Sequence, residues 1–321
     1  MAAQTQRGRV NLKRFAIVLL FSSLAMAIGA VDAPPRPRIL GISHMGLFVS
    51  DLAKSRQFYE DFLGFAEPYN LKRDDGSVRI AFVKIDDDQS IELFTDPPKQ
   101  SGQLSHIAFY TDSAEGMREY LASQGLKVPA AVGKGKIGNT EFDVTDPDGH
   151  TVEIVQYQPD GWTRREQGNF LPDTRISTHM YHVGVTIGAL EPAVKFYGGI
   201  LGFSEFWRGS SNGKILSWVN MRVPDGPDYL EFMLGSGPQD AKQLGTKDHI
   251  CLVVPDIEKA VATLKSRAAA ADYTLPIEFK TGVNGKRQAN LFDPDGTRVE
   301  LMEPDTFDHK PVPPSSAPPP M

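Results

Sequence analysis

The chain has 321 residues, 40% of them hydrophobic, enough for two ordinary domains with real cores. A formal net charge of −6 provides no basic footprint and speaks against a nucleic-acid partner. With Cys251 as the only cysteine, neither a disulfide framework nor a thiolate metal site is available, so any metal must be held by histidine and carboxylate.

The N-terminus has the layout of a secretory signal. Arg7, Arg9, Lys13 and Arg14 precede the apolar stretch FAIVLLFSSLAMAIGA, which carries the small residues Ala25, Ala27 and Ala30. The apolar run is shorter than the roughly 18 residues of a spanning helix. We expect residues 1–30 to be a signal peptide cleaved after Ala27 or Ala30, with an uncleaved membrane anchor as the alternative. The protein is then exported, periplasmic or extracellular, and free of the membrane once the signal is removed. Residues 31–37, which include most of APPRPR, read as a stiff linker.

From residue 38 the chain repeats itself. FYEDFLGF (58–65) recurs as FYGGILGF (196–203), and DPDG at 146–149 recurs at 293–296. Two halves follow, 38–158 and 177–304, joined by a linker at 159–176. Each half splits again into modules that read strand–helix–strand–strand–strand, an α+β pattern. In DLAKSRQFYEDFLGF, Asp51 is placed to cap a helix, Leu52, Phe58, Tyr59, Phe62 and Leu63 fall mostly at helical spacings, and Gly64 stops it. DSAEGMREYLASQG repeats the device more weakly, and the third module tolerates Pro192 in the first turn of its helix. DIEKAVATLKSRA has Asp256 as cap, with Ile257, Ala260, Val261 and Leu264 on one face. Segments such as IAFVKI alternate as strands, and DPDG is a turn into the last strand of modules two and four. Residues 305–321, ending PVPPSSAPPPM, read as a Pro-rich disordered tail.

One histidine and one glutamate recur in every module. His44 is followed by Glu92, His106 by Glu153, His182 by Glu231 and His249 by Glu300, at separations of 48, 47, 49 and 51 residues. Each histidine lies near the start of an apolar strand (ISHMGLFV, LSHIAFYT, MYHVGVTI, KDHICLVV) and each glutamate interrupts a later one (SIELF, TVEIV, YLEFM, RVELM). An isolated carboxylate on a buried face is costly unless it meets a cation or a proton. A divalent metal satisfies the set, and two histidines with two carboxylates suit zinc, nickel, iron, manganese or cobalt, with positions left for water and substrate. The competing reading, satisfied structural histidines and strand-edge surface glutamates, explains one pair but not four in register.

Other residues are weaker candidates. His150 and His309 read as solvated, His179 as structural and Cys251 as a small core residue. Arg208, Arg222 and Arg287 are candidates to clamp an anionic substrate, although solvated surface roles suit each of them. Trp207 and Trp218 read as core or pocket wall.

The His-bearing first strand, the FYxxxLGF helix end and the DPDG-led last strand resemble the vicinal oxygen chelate superfamily, over about residues 38–304. That superfamily includes glyoxalase I, extradiol dioxygenases, an epimerase and bleomycin-resistance proteins. The resemblance implies paired βαβββ modules, each pair a half-open, mixed β-barrel around a divalent metal. It implies His44, Glu92, His106 and Glu153 as one ligand set and His182, Glu231, His249 and Glu300 as a second, with Glu153 or Glu300 as catalytic base. Modules pair within a half or are exchanged between halves in this superfamily, and both arrangements stay open here. The implied function is a metal-dependent isomerase or lyase acting on a small molecule through two vicinal oxygens.

Two alternatives accompany it. The extradiol branch needs only a facial triad, which His182, His249 and Glu300 supply, but KILSWVNM and RQANLFD lack the His and Tyr expected around it. A resistance-type binding protein requires no metal ligands at all. An export signal also argues against a glutathione adduct as substrate, since glutathione is the thiol buffer of the cytosol.

Overall fold

Residues 1–3, 34–98, 102–235 and 247–320 are described by a computed structural model, so the expected signal segment lies, but for its first three residues, outside the described residues. Among the described residues no helix is long and apolar enough to cross a membrane.

The alternating segments form two eight-stranded sheets, one per half. In the first, β1 (Ile39–Phe48), β2 (Ala66–Lys72), β3 (Val78–Lys84) and β4 (Ser90–Phe94) come from module one. β5 (Leu104–Thr111), β6 (Gly133–Lys134), β7 (Thr140–Thr145) and β8 (Thr151–Gln156) come from module two. Their order is β2-β3-β4-β1-β5-β8-β7-β6. The second sheet repeats it as β10-β11-β12-β9-β13-β16-β15-β14. Here β9 (Met180–Ile187), β10 (Ser204–Gly209), β11 (Trp218–Arg222) and β12 (Tyr229–Leu234) are module three. β13 (His249–Val253), β14 (Phe279–Thr281), β15 (Lys286–Phe292) and β16 (Arg298–Thr306) are module four. The four histidine- and glutamate-bearing strands of each half are therefore the four central strands of one sheet. Pairing is mixed: β1 runs parallel to β4 and antiparallel to β5, and β5 runs parallel to β8.

Helices cover the other face. Asp51 caps helix α1 (Leu52–Arg56), accepting from the backbone N–H groups of Ala53 and Lys54. The helix then widens into a π-helical stretch, Gln57–Phe62, and this differs from the uniform α-helix that the spacing predicts. The adjacent pairs Phe58–Tyr59 and Phe62–Leu63 are all buried, and the wider turn brings both members of each pair into the core. Gly64 and Gly202 close the two FYxxxLGF helices with φ of 81° and 83°, a left-handed turn that favours glycine. The third module shows the same widening, α4 (Leu190–Ala193) continuing as Val194–Ile200. α2 (Ala114–Ser123) and α5 (Ile257–Arg267) are capped by Ser113 and Asp256.

The halves are laced together by the repeated motifs. Tyr59 OH donates to Asp293 Oδ2 at 3.2 Å, and Tyr197 OH donates to Asp146 Oδ2 at 2.9 Å. The second DPDG aspartates accept from the other half as well, Asp148 from Gly188 N at 2.9 Å and Asp295 from Ser50 N at 3.1 Å. DPDG is thus a turn whose carboxylates also join the halves, and one continuous apolar core spans both.

Three expectations need correction. The Pro-rich tail is not loose: Ser315 N–H donates to Arg208 O at 2.9 Å and Leu216 N–H to Pro318 O at 2.8 Å. Strand β10 is an edge with unpaired backbone groups, and the tail supplies partners for that region. His150 is not solvated; its ring is largely covered and Nδ1 lies 2.8 Å from Asp146 Oδ2. The segment 159–176 does more than connect. It holds helix α3 (Trp162–Arg165), whose Trp162 packs against Tyr69 and Phe82.

Candidate metal centres

Strand register explains how four residues from four strands converge. Gly46 lies between Glu92 on β4 and His106 on β5, and Ala108 lies between His44 on β1 and Glu153 on β8. In the second half Gly184 lies between Glu231 and His249, and Cys251 between His182 and Glu300. Small residues at the middle of each row leave space for four larger side chains to lean inward. The clearance is tight: a Cβ on Gly46 would lie 2.4 Å from His106 Cε1, and one on Gly184 would lie 1.9 Å from His249 Cε1. The H-x-G spacing in HMGLF and HVGVT was the sequence signal for this, readable only once register is known.

The eight predicted ligands gather in two sites, each within one half: His182, Glu231, His249 and Glu300 form one mutual cluster, and His44, Glu92 and His106 form the other, with Glu153 beside its two histidines. In the first, His44 Nε2 lies 2.8 Å from His106 Nε2, 3.5 Å from Glu92 Oε1 and 3.7 Å from Glu153 Oε1. His106 Nε2 is 3.8 Å from Glu92 and 3.6 Å from Glu153. In the second, His182 Nε2 lies 3.1 Å from His249 Nε2, 3.9 Å from Glu231 and 3.5 Å from Glu300. His249 Nε2 is 3.6 Å from Glu231 and 3.5 Å from Glu300. Modules pair within a half, so His44 and Glu92 do not share a site with His249 and Glu300.

Donor chemistry fits a divalent cation. Ligands about 2.0–2.2 Å from one ion stand roughly 3–4 Å apart, as these do. His249 Nδ1 donates to Lys247 O at 2.6 Å; a carbonyl can only accept, so the Nε2 lone pair faces inward. Ser43 Oγ lies 2.9 Å from His44 Nδ1, and Tyr157 OH donates to that hydroxyl at 2.7 Å, fixing the first ring. Burial, reinforced by His106, holds His44 well below the usual histidine range, and burial lowers His106 to about 4. Both rings are neutral donors. Burial pushes Glu92 up to about 8, with Glu141 adding to it. Burial and then Glu92, Glu141 and Asp143 push Glu153 up well beyond the carboxylate range. Inward-facing lone pairs and carboxylates that would rather not be charged together call for a cation.

Surroundings differ between the halves. Phe48, Phe94, Leu104, Asp143 and Thr151 line a cavity of about 260 Å³ beside His106 and Glu153. In the second half Trp207, Trp218, Lys280, Gln288, Asn290 and Arg298 line one of about 140 Å³ beside Glu231 and Glu300. Gln288 Nε2 donates to Glu300 Oε1 at 2.5 Å. Burial raises Glu231. Burial works the same way on Glu300, but bonds to His182 and His249 and the Arg298 charge outweigh it and hold that carboxyl low.

The expected arginine clamps are elsewhere. Arg208 pairs with Glu205, Arg287 with Glu303 and Glu258, and Arg222 covers the Phe206 ring. Each already has a local partner, and the arginine that reaches a candidate ligand is Arg298, whose Nη2 lies 2.7 Å from His249 Nδ1 and 2.8 Å from Nε2. Comparing Arg298 with Thr151 at the same repeat position would have exposed it. Trp207 and Trp218 are pocket wall, as read. His179 is structural, bonded to Asp86 and Asp228 at 3.0 and 2.7 Å.

The chain belongs to the Glyoxalase/Bleomycin resistance protein/Dioxygenase superfamily, whose sequence model matches residues 41–154 and again 179–301. It is 24% identical over 308 residues to the lactoylglutathione lyase of Schizosaccharomyces pombe, covering 82% of this chain and 96% of that one. A probable lactoylglutathione lyase of Synechocystis is 32% identical over 121 residues, 35% of this chain and 92% of its own. In fold the chain resembles homoprotocatechuate 2,3-dioxygenase of Brevibacterium fuscum, at 20% identity and a TM-score of 0.61, over 89% of this chain and 86% of that one. It also resembles the 2,3-dioxygenase LapB of Pseudomonas sp. KL28, at 17% identity and a TM-score of 0.65, over 87% and 98% of the two chains.

Proposed function

We propose that this protein is an exported, metal-dependent isomerase or lyase that moves a proton on a small substrate presenting two adjacent oxygens. The observation that carries the reading is the pair of histidines and pair of glutamates in each half, all buried but the half-buried Glu153, which stands 3.7 and 3.6 Å from His44 and His106. Its length-spanning likeness to a lactoylglutathione lyase points the same way. A bound divalent ion would polarise both substrate oxygens and acidify the neighbouring C–H. His44 and His106 hold one side of such a centre as neutral donors. Glu153 is the base: it takes the proton from carbon at a carboxylate oxygen and returns it to the adjacent atom. Its side chain is the most open of the first set at 15% exposure, and it faces the larger cavity. Glu300 stands at the equivalent place in the second half but is more enclosed, at 4% exposure.

The dioxygenase reading is less favoured. The second-half strands present Asn220, Gln288 and Asn290, and that chemistry gives the complete first-half set no role. The test is to load the protein with zinc, nickel, manganese or cobalt and offer 2-oxoaldehyde adducts of several thiols in deuterated water. We expect carbon-bound exchange or isomerisation, lost in Glu153→Gln with metal retained. Catechol cleavage with Fe(II) and oxygen would replace this reading by the dioxygenase, and protein purified without metal would sink both. Export is tested by N-terminal sequencing of protein recovered from its source, which should start after Ala27 or Ala30.

A further inference from the structure

The two centres share their four ligand types but not what surrounds them. Where the first half has Glu141, Asp143 and Thr151, the second has Gln288, Asn290 and Arg298. Register confirms the match, since Asp143 stands opposite Glu153 and Asn290 opposite Glu300. The first centre therefore gathers four carboxylates: Glu92, Glu153, Glu141 and Asp143. The second has Glu231 and Glu300 with two amides and a guanidinium, a shift toward positive charge at every changed position. Each change is nearly isosteric except the last.

Arg298 acts on the ligand itself. Its Nη2 stands 2.7 Å from His249 Nδ1, which also meets Lys247 O at 2.6 Å, and 2.8 Å from Nε2, so the positive charge presses on the imidazole beside the atom that a metal needs. Gln288 meanwhile donates to Glu300 Oε1. Between them, Arg298 and Gln288 give the second set part of what a cation would give it. In the first half the corresponding ring, His106, has Ser105 Oγ at 3.2 Å from Nδ1 and faces His44 through Nε2. The Arg298 Nε is itself buried without a hydrogen-bond partner, so this guanidinium is not satisfied where it lies.

Building on the metal-dependent reading above, we infer that the two centres are unequal: the N-terminal one binds its divalent ion tightly, and the C-terminal one is gated by Arg298, which must leave His249 before an ion enters. Arg298 is a positioning residue for the second centre. A divalent ion there meets the repulsion of a nearby fixed charge, whereas in the first centre two extra carboxylates attract it.

The test uses the full chain, stripped with a chelator and titrated with Zn²⁺ alone by calorimetry, with elemental analysis after dialysis. We expect two binding events whose Kd values differ by at least about tenfold. His106→Ala should remove the tight one and His182→Ala the weak one. Arg298→Thr, the first-half residue, should tighten the weak event by about tenfold or more and leave the tight one alone. Arg298→Met gives the same readout should threonine disturb folding. Glu141→Gln with Asp143→Asn should weaken only the tight event. Equal affinities, or a weak event unmoved by both Arg298 variants, overturn the inference while the metal reading stands. No bound metal at either centre overturns both.

Discussion

Replacing Gly46 by alanine tests whether ligand placement depends on the empty space between β4 and β5. The new Cβ would lie 2.4 Å from His106 Cε1 and 2.6 Å from Nδ1. Carbon atoms in contact rest about 3.5–4.0 Å apart, so the ring must retreat by roughly 1–1.5 Å. The strands cannot easily yield instead, because Met45 and Ile107 beside the site are fully buried. Overpacking of this kind costs about 1–3 kcal/mol. That predicts a folded protein whose Tm falls by a few degrees. A ligand moved by an ångström loses its bond, so metal at the N-terminal centre should weaken by at least about tenfold, with the C-terminal centre unaffected. Gly184→Ala should mirror this at the other centre and more severely, its nearest approach being 1.9 Å. Gly199→Ala is the control, with its closest neighbour 4.0 Å away on the Lys195 side chain. Thermal melts by circular dichroism and metal per chain by elemental analysis measure both parts. A Gly46→Ala protein that melts like the parent and keeps its full metal would refute the reasoning.

Five further substitutions, at four positions, probe the frame around the centres. Tyr59→Phe and Tyr197→Phe each remove one tie between halves, to Asp293 and Asp146. Each should cost about 1 kcal/mol in urea denaturation, and unchanged midpoints in both would show the ties to be incidental. His179 is raised to about 10: burial opposes the charge, but hydrogen bonds to Asp228 and Asp86 outweigh it. A folded value above the unfolded one of about 6.5 means stabilisation fully present below pH 6.5 and lost as pH rises through 10. His179→Asn should flatten that part of the stability curve, and parallel curves for parent and variant would count against the ion pairs. Cys251 stands where the first half has Ala108, so Cys251→Ala should leave folding and metal content intact, whereas Cys251→Leu should displace His182 or Glu300. Retained second-centre metal in the leucine variant would show that the row has slack.

The candidate metal ligands were legible because burying a charged or polar residue on an apolar strand is conspicuous, and a regular separation marks it four times. Module type was legible for a similar reason: Asp51 and Asp256 cap helices and Gly64 ends one, all by local backbone chemistry. What escaped depends on partners distant in sequence. Gly46 and Gly184 look like weak strand positions until register sets each beside a histidine ring. The Pro-rich tail has no hydrophobic pattern of its own, and its order comes from backbone groups near an edge strand that a sequence does not display. Arg298 is the most instructive case. In isolation it is one more charged residue before an apolar strand, with no feature to separate it from Arg287 or Arg222. Only in register with Thr151 does it become the cation resting on a ligand of one centre and absent from its twin. Duplication preserves what the fold needs from both copies, the ligand rows and the small residues between them. The positions where the copies part therefore report what each centre is for, and here they part in charge.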